Sequence, residues 1–316
     1  MIDQKGPYDS HVTEGGLIIN SPIKKVLVLG GKGFIGRHAV NALKQHNVNV
    51  VIGSRNPSQS AEVGVQFETL LDSVDWVSVI QGFDVVLNCV GILRPVGKAT
   101  YDSVHHRAPA ALAEACQTAG IRFVHVSALG LNDDAKSGFL VSKLQGERAI
   151  QAIAPNSILV RPSLLDGEGG YGASWLRGVA RLPLFVVPAD ANGIIAGLFV
   201  SELGEALATL CLKSDEELAL NQTREFELGG RDAVAFEAYI RGLRQRYSNK
   251  QAICIKVPGI AARLGAHICD LFHATPFSFG HWELLRNDNK PEVNRLAELI
   301  GREPAALFEA AVHDKS

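Results

Sequence analysis

The sequence predicts an α/β protein built on a doubly wound parallel sheet, with a smaller mixed lobe in its C-terminal part. Two observations carry that expectation. Short apolar, β-branched runs alternate with helix-length segments from residue 25 to about residue 160, a pitch that implies a parallel sheet covered on both faces. The first run, Lys25-Val26-Leu27-Val28-Leu29, ends in a glycine-rich turn and passes directly into a helix-like segment reaching His46. Right-handed crossovers then favour winding the sheet in both directions from that strand.

In chain order, residues 48–52, 63–67 and 84–90 read as the second, third and fourth strands. An Ala-rich helix covers about 101–119, residues 122–126 form a fifth strand, a further helix covers about 138–153, and 157–160 form a sixth strand. Residues 1–22 are polar and aperiodic and read as a tail. Beyond 165 the pattern changes to loops, short strands and several helices, ending in an amphipathic piece near 291–300. The expected division is therefore 1–22, 23–165 and 166–316, the last packed over the sheet's C-terminal edge.

Of the 316 residues 47% are hydrophobic and 20% charged, with a formal net charge of −2. A disordered chain is excluded by this apolar content, and the near-neutral balance argues against nucleic acid as the main partner. The five cysteines are scattered without a CxxC pair, as buried thiols of a reducing compartment would be, not a disulfide framework or zinc site. No apolar leader run opens the chain. Residues 182–201 carry only Asp190 as a formal charge, but two prolines, Asn192 and Gly193 interrupt them, so strand, loop and strand are expected instead of a membrane span. A cytoplasmic location follows as the expectation.

Gly30, Gly33 and Gly36 are spaced G-x-x-G-x-x-G between the first strand and its helix. The first permits a tight turn, the second lets a pyrophosphate approach the backbone, and the third allows close helix–strand packing, with the helix N-terminus facing the phosphates. This context predicts a Rossmann-type dinucleotide site. At the end of the second strand, where an acidic residue would bind the ribose hydroxyls of NAD, stand Gly53-Ser54-Arg55-Asn56. A hydroxyl and a guanidinium, with Lys32 and Arg37 nearby, suit the 2′-phosphate of NADP(H) better than NAD(H).

The stretches VLVLGGKGFIGRHAV, GFDVVLNCVGI, GIRFVHVSALG, FLVSKLQGERAI, LVRPSLLDGEGG, FELGG and LLRNDNKPEVN resemble the atypical branch of the short-chain dehydrogenase/reductase superfamily. They are similar to the group containing the NADPH-binding accessory subunit of respiratory complex I and its bacterial relatives. The resemblance implies that Gly30, Gly33, Phe34, Ile35 and Gly36, with Gly31 and Lys32 between them, form the pyrophosphate loop. It places Ser54 and Arg55 at the adenosine ribose and Cys89, Val90 and Gly91 along the cofactor's central stretch. Ser127 falls at the position of the catalytic serine, Lys143 matches the lysine that holds the nicotinamide ribose, and Arg161-Pro162-Ser163 match the loop passing the nicotinamide ring.

Two positions depart from that pattern. Where the superfamily has Tyr-x-x-x-Lys, this chain has Phe139-Leu140-Val141-Ser142-Lys143, and phenylalanine cannot exchange the proton that accompanies hydride transfer. Glu68-Thr69 replace the Gly-Asp that relatives use near adenine, leaving Leu70 to offer backbone there. Other proton carriers to weigh are Ser127, Cys89, His105, Tyr101 and Tyr171. His267, Cys269, Asp270 and His273 read as helix residues more readily than as metal ligands. Asp166-Gly167-Glu168-Gly169-Gly170 reads as a flexible loop beside the cleft.

Three functions are compatible with these residues. One is an NADP(H) oxidoreductase acting on a small hydrophobic substrate. The second is a noncatalytic NADPH-binding subunit or assembly factor of a respiratory or quinone-related complex, and the third is an NADP(H) redox sensor. The apolar stretches at 182–187 and 194–200 would line a substrate pocket or make a protein or peripheral membrane contact.

Overall fold

The computed structural model describes residues 24–220, 223–272 and 278–308; the expected tail at 1–22 and His273 lie outside them. The first half of the chain runs β1 (Lys25–Leu29), α1 (Phe34–Leu43), β2 (Asn49–Ser54), β3 (Glu62–Gly64), α2 (Ser73–Ile80), β4 (Val85–Asn88), α3 (Ala108–Ala119), β5 (Arg122–Val126), α4 (Gly138–Ile153) and β6 (Ile158–Pro162). It continues as β7 (Leu165–Asp166), α5 (Tyr171–Arg181), β8 (Leu184–Pro188), β9 (Ile194–Ile195), β10 (Leu198–Phe199), α6 (Val200–Leu212) and α7 (Asp215–Leu220). The last part is β11 (Glu225–Leu228), β12 (Val234–Ala235), α8 (Phe236–Gln245), β13 (Ile253–Val257), α9 (Gly259–Phe272), α10 (Phe279–Arg286) and α11 (Leu296–Ile300).

Seven strands form one sheet in the order β11-β6-β5-β4-β1-β2-β3, every neighbouring pair parallel. The expected α/β class and double winding are therefore present. The apolar run of β1 explains its central place: alternate side chains serve opposite faces. Val26 and Val28 pack with Ala39, Leu43, Leu203 and Leu207 on one side. Leu27 and Leu29 pack with Phe67, Trp76 and Leu112 on the other. Because β2 and β4 flank β1, the chain reverses its winding there, and ligands of such sheets sit outside the strand C-termini at that switch point.

Several boundaries differ from expectation. The third strand stops at Gly64, and Phe67–Thr69 form a 3-10 turn instead, because Phe67 folds under the sheet against Trp76, ring centroids 5.4 Å apart. The Ala-rich helix begins as a π-helical turn over Asp102–Arg107 before α3. The expected division at residue 165 is crossed twice. β11 extends the sheet beside β6, and α6 shares one core with α1. A smaller core of Leu176, Ala180, Phe185, Tyr239 and Leu243 lies in the C-terminal part.

Candidate functional site

The site is built where β1, β2, β4 and β5 end. Gly30 takes φ +72° after β1, and a Cβ on Gly36 would lie 2.2 Å from the Gly30 carbonyl oxygen. That close approach seats the first turn of α1 on the loop, with the Gly33 amide donating to the Gly30 carbonyl at 2.8 Å. Gly31 faces Ile52 of β2, and Ile35 packs into the core below. Phe34 lies under Gly170, while Arg37 donates to the Glu168 carbonyl. The loop at 166–170 thus closes on the glycine loop. It is anchored rather than free: Asp166, 2% exposed, pairs with Arg246 at 2.9 Å and Arg177 at 3.5 Å.

At the end of β2 the Ser54 hydroxyl is buried and has no hydrogen-bond partner. Arg55 is exposed beside it. Lys32 reaches across to the same segment, donating to the Asn56 carbonyl at 3.0 Å and to Ser58 Oγ at 3.2 Å. Its charge is met by Glu62 at 2.7 Å, whose carboxylate also accepts from the Ser58 amide at 2.6 Å. Sequence reading missed Glu62; nothing but the pairing of β3 with β2 brings it there. Arg37 points elsewhere, so Lys32 and Arg55 are the cations at this end. Leu70 is half-buried with its carbonyl taken by the Trp76 indole at 3.0 Å.

The central stretch follows β4 and β5. The Cys89 amide donates to the Leu29 carbonyl at 3.0 Å, and burial pushes the Cys89 thiol far up, which disfavours a thiolate nucleophile. The Val90 amide donates to Asn88 Oδ1 at 3.0 Å, fixing the Asn88 amide so that its nitrogen donates to His125 Nδ1 at 3.0 Å. His105 accepts from the Ile92 amide through Nε2 at 3.1 Å. Its Nδ1 therefore carries the proton and donates to Ser142 Oγ at 3.0 Å, which donates to the Phe139 carbonyl at 3.1 Å. Burial pushes His105 down to about 2 and His125 to about 3, so both rings are neutral. The Gly91 backbone lies beside this His105 ring.

Ser127 follows β5, its amide held by the Val160 carbonyl at 2.7 Å. Its hydroxyl is the second buried oxygen without a partner at a strand end. α4 starts on an N-cap from Ser137, whose Oγ accepts from the Leu140 amide, and Glu283 of α10 accepts from the Lys136 and Ser137 amides at 2.8 and 2.7 Å. One turn apart on α4, Phe139 and Lys143 share a face, the ammonium 5.8 Å from the ring centroid. Burial lowers Lys143 to about 8, opposed by the Glu147 carboxylate. Tyr101, His105 and His281 surround Phe139 at 6.1, 5.5 and 6.1 Å between centroids. The Tyr101 hydroxyl donates to the Leu93 carbonyl at 2.8 Å, and Tyr171 is exposed at the start of α5.

The segment Arg161-Pro162-Ser163 has its side chains engaged within the protein. Arg161 is held by Glu147 at 2.6 Å and by Glu225. The Pro162 carbonyl accepts from the Leu129 amide. Ser163 Oγ donates to Asn289, 2.8 Å from Oδ1. Asn289 thereby ties the end of β6 to the C-terminal part, a link the sequence did not reveal. Among the described residues no cluster of three metal-ligating side chains occurs.

A glycine cradle at the switch point of a fully parallel sheet defines a Rossmann-type nucleotide-binding protein. Residues 26–179 match the NAD dependent epimerase/dehydratase family, a match consistent with an atypical short-chain dehydrogenase/reductase. Ceramide reductase of Caulobacter vibrioides is 26% identical over 86% of this chain and 88% of that protein. The mitochondrial NADH dehydrogenase [ubiquinone] 1 alpha subcomplex subunit 9 of Mus musculus is 30% identical over 45% of this chain but only 40% of its own length. In fold, the chain is similar to MoeE5 in complex with UDP-glucose and NAD, with a TM-score of 0.62 at 20% identity, covering 90% of this chain and 95% of that one. It is also similar to a nucleoside-diphosphate-sugar epimerase from Staphylococcus aureus, with a TM-score of 0.67 at 14% identity, covering 90% of this chain and 98% of that one.

Proposed function

We propose that this protein binds one NADP(H) along the C-terminal edge of the sheet and acts as an NADP(H)-linked oxidoreductase on an apolar substrate. The observation that carries this reading is the pair of orphaned buried hydroxyls, Ser54 Oγ and Ser127 Oγ. They stand at the ends of β2 and β5, on either side of the glycine cradle. A buried hydroxyl without a partner is costly unless a ligand completes it. The residues present fit a dinucleotide: the amides of the glycine loop for the pyrophosphate, Ser54 and Arg55 for the adenosine ribose and its 2′-phosphate, and Ser127 and Lys143 toward the nicotinamide end.

When bound, the cofactor would supply the hydride. The chain's own groups do the holding: Lys143 donates hydrogen bonds as an ammonium below about pH 8, and neutral His105 orients Ser142 on the same helix. Phe139 carries no proton to exchange, so the tyrosine-dependent route is not the one used here. With Lys143, the partnerless Ser127 hydroxyl is left as a proton-bearing group for the nicotinamide end. The near full-length likeness to a ceramide reductase supports an apolar substrate.

A second reading is a noncatalytic NADPH-binding subunit of a larger complex. Phe139, packed among three aromatic rings, and the likeness to a complex I subunit favour it.

The 2′-phosphate assignment has a direct test. Arg55→Ala is expected to weaken NADPH binding about tenfold to a hundredfold, as removal of a charge-assisted phosphate contact does, while NADH binding changes little. Equal losses for the two nucleotides in a binding titration would sink the NADP(H) preference.

A further inference from the structure

We infer that the outward face of α9, continued by the outer face of the β8–β13 ribbon, is a surface that seats on an anionic lipid bilayer. The inward stripe of α9 is small: Ala262 and Ala266 pack with Trp282, and Val257 and Phe279 flank them. The opposite face carries Ile260, Leu264, Ile268, Leu271 and Phe272, each between 49 and 86% exposed. A surface helix normally turns its large apolar residues inward; here they point out.

The ribbon repeats the inversion. β13 pairs with β8 so that Ile253 lies opposite Leu184 and Ile255 opposite Val186. All four are 41–65% exposed, while Phe185 and Val187 turn into the small core. The outer face of the ribbon is therefore apolar, Cys254 and Lys256 fall on its inner face, and Pro258 leads directly from it into α9.

Charge selects the occupant. From Tyr247 to Cys269 the chain has Lys250, Lys256 and Arg263 and no aspartate or glutamate. All three cations are exposed; Lys256 also reaches Glu237 at 3.4 Å. The carboxylates that border the surface are paired, Asp270 with Arg94, Asp190 with Arg286 and Glu237 with Arg241 and Lys256. A specific protein interface needs a hydrogen bond for about every 100–200 Å², and the outward face of α9 offers only Arg263 and His267 as polar side chains. A bilayer requires just apolar area with positive charge at its margin, the signature of a helix lying in the headgroup region. Among the described residues no helix is long and apolar enough to cross a membrane, so the contact is peripheral. α9 is also coupled to the functional site: Arg94, in the loop after β4, pairs with Asp270 at 3.2 Å and donates to the Cys269 carbonyl at 3.3 Å.

The test is cosedimentation of the full chain with phosphatidylcholine vesicles, with and without phosphatidylglycerol. The expected result is binding to the anionic vesicles, weakened by salt. The double variant Leu264→Glu, Ile268→Glu should lose roughly tenfold or more of it, with an unchanged melting curve because both side chains are exposed. No binding, or equal binding by the variant, would overturn the inference. So would a solution dimer that the variant dissociates without any vesicle binding, since the face would then belong to a second copy. The readout needs no cofactor, so its failure is separate from failure of the NADP(H) reading.

Discussion

Replacing Gly36 by alanine is expected to abolish retention of a nicotinamide dinucleotide. The added methyl would lie 2.2 Å from the Gly30 carbonyl oxygen and 2.8 Å from Gly30 C and Gly31 Cα, all of them backbone atoms. No side chain can swing away to relieve the contact. α1 must retreat from the loop, at about 1–3 kcal/mol of overpacking, and its retreat misaims the amides that face the pyrophosphate. Gly172→Ala is the matched control, because nothing lies within 4 Å of a Cβ there. A fluorescence titration should show wild-type affinity for the control and none for Gly36→Ala, with a melting curve confirming that both are folded. Wild-type affinity in Gly36→Ala would mean that the loop does not hold the cofactor.

Glu147→Ala should cost the largest share of stability of any single change near the site, about 3 kcal/mol. Glu147 is 2% exposed, and its two oxygens accept three hydrogen bonds from Arg161. Truncation leaves the guanidinium with Glu225 alone, which is half in solvent. Losing one partner of a buried pair is expensive because the other charge stays behind. The same change removes the carboxylate one turn from Lys143, so α4 loses both its tie to β6 and the group that supports the lysine's charge. Denaturant midpoints measure the loss; a change below about 1 kcal/mol would place this ion pair with ordinary surface pairs.

Much of the sheet was legible because its strands are buried on both faces and read as short, largely apolar runs, β1 above all. α4 lies where it was expected, at Gly138–Ile153. What escaped was set by contacts distant in sequence. β11 alternates Glu225-Phe226-Glu227-Leu228, an ordinary edge-strand pattern that says nothing of its pairing with β6. The π-helical start at Asp102–Arg107 lies against α4, where Gly146 meets the His105 carbonyl so closely that a Cβ would lie 1.9 Å from it; no local pattern encodes that approach.

In the site, the glycine cradle and Ser54 could be read from their place after apolar runs, whereas Ser127 came from the family resemblance. The partners of the charged residues could not. Lys32 suggested a phosphate and in the fold already faces Glu62. Arg161 sat in a cofactor motif, and its guanidinium is held by Glu147 and Glu225. Asp166 looked like part of a mobile loop and is a buried anchor for two arginines. Each of these depends on which strands become neighbours, information carried by topology rather than by the residues next to them.

The central claim, a single NADP(H) site at the switch point of the sheet, is tested most directly by calorimetric titration of the nucleotide-free protein with NADPH. The account predicts saturable binding of one NADPH per chain, with NADH bound more weakly. No saturable binding by folded protein would contradict it.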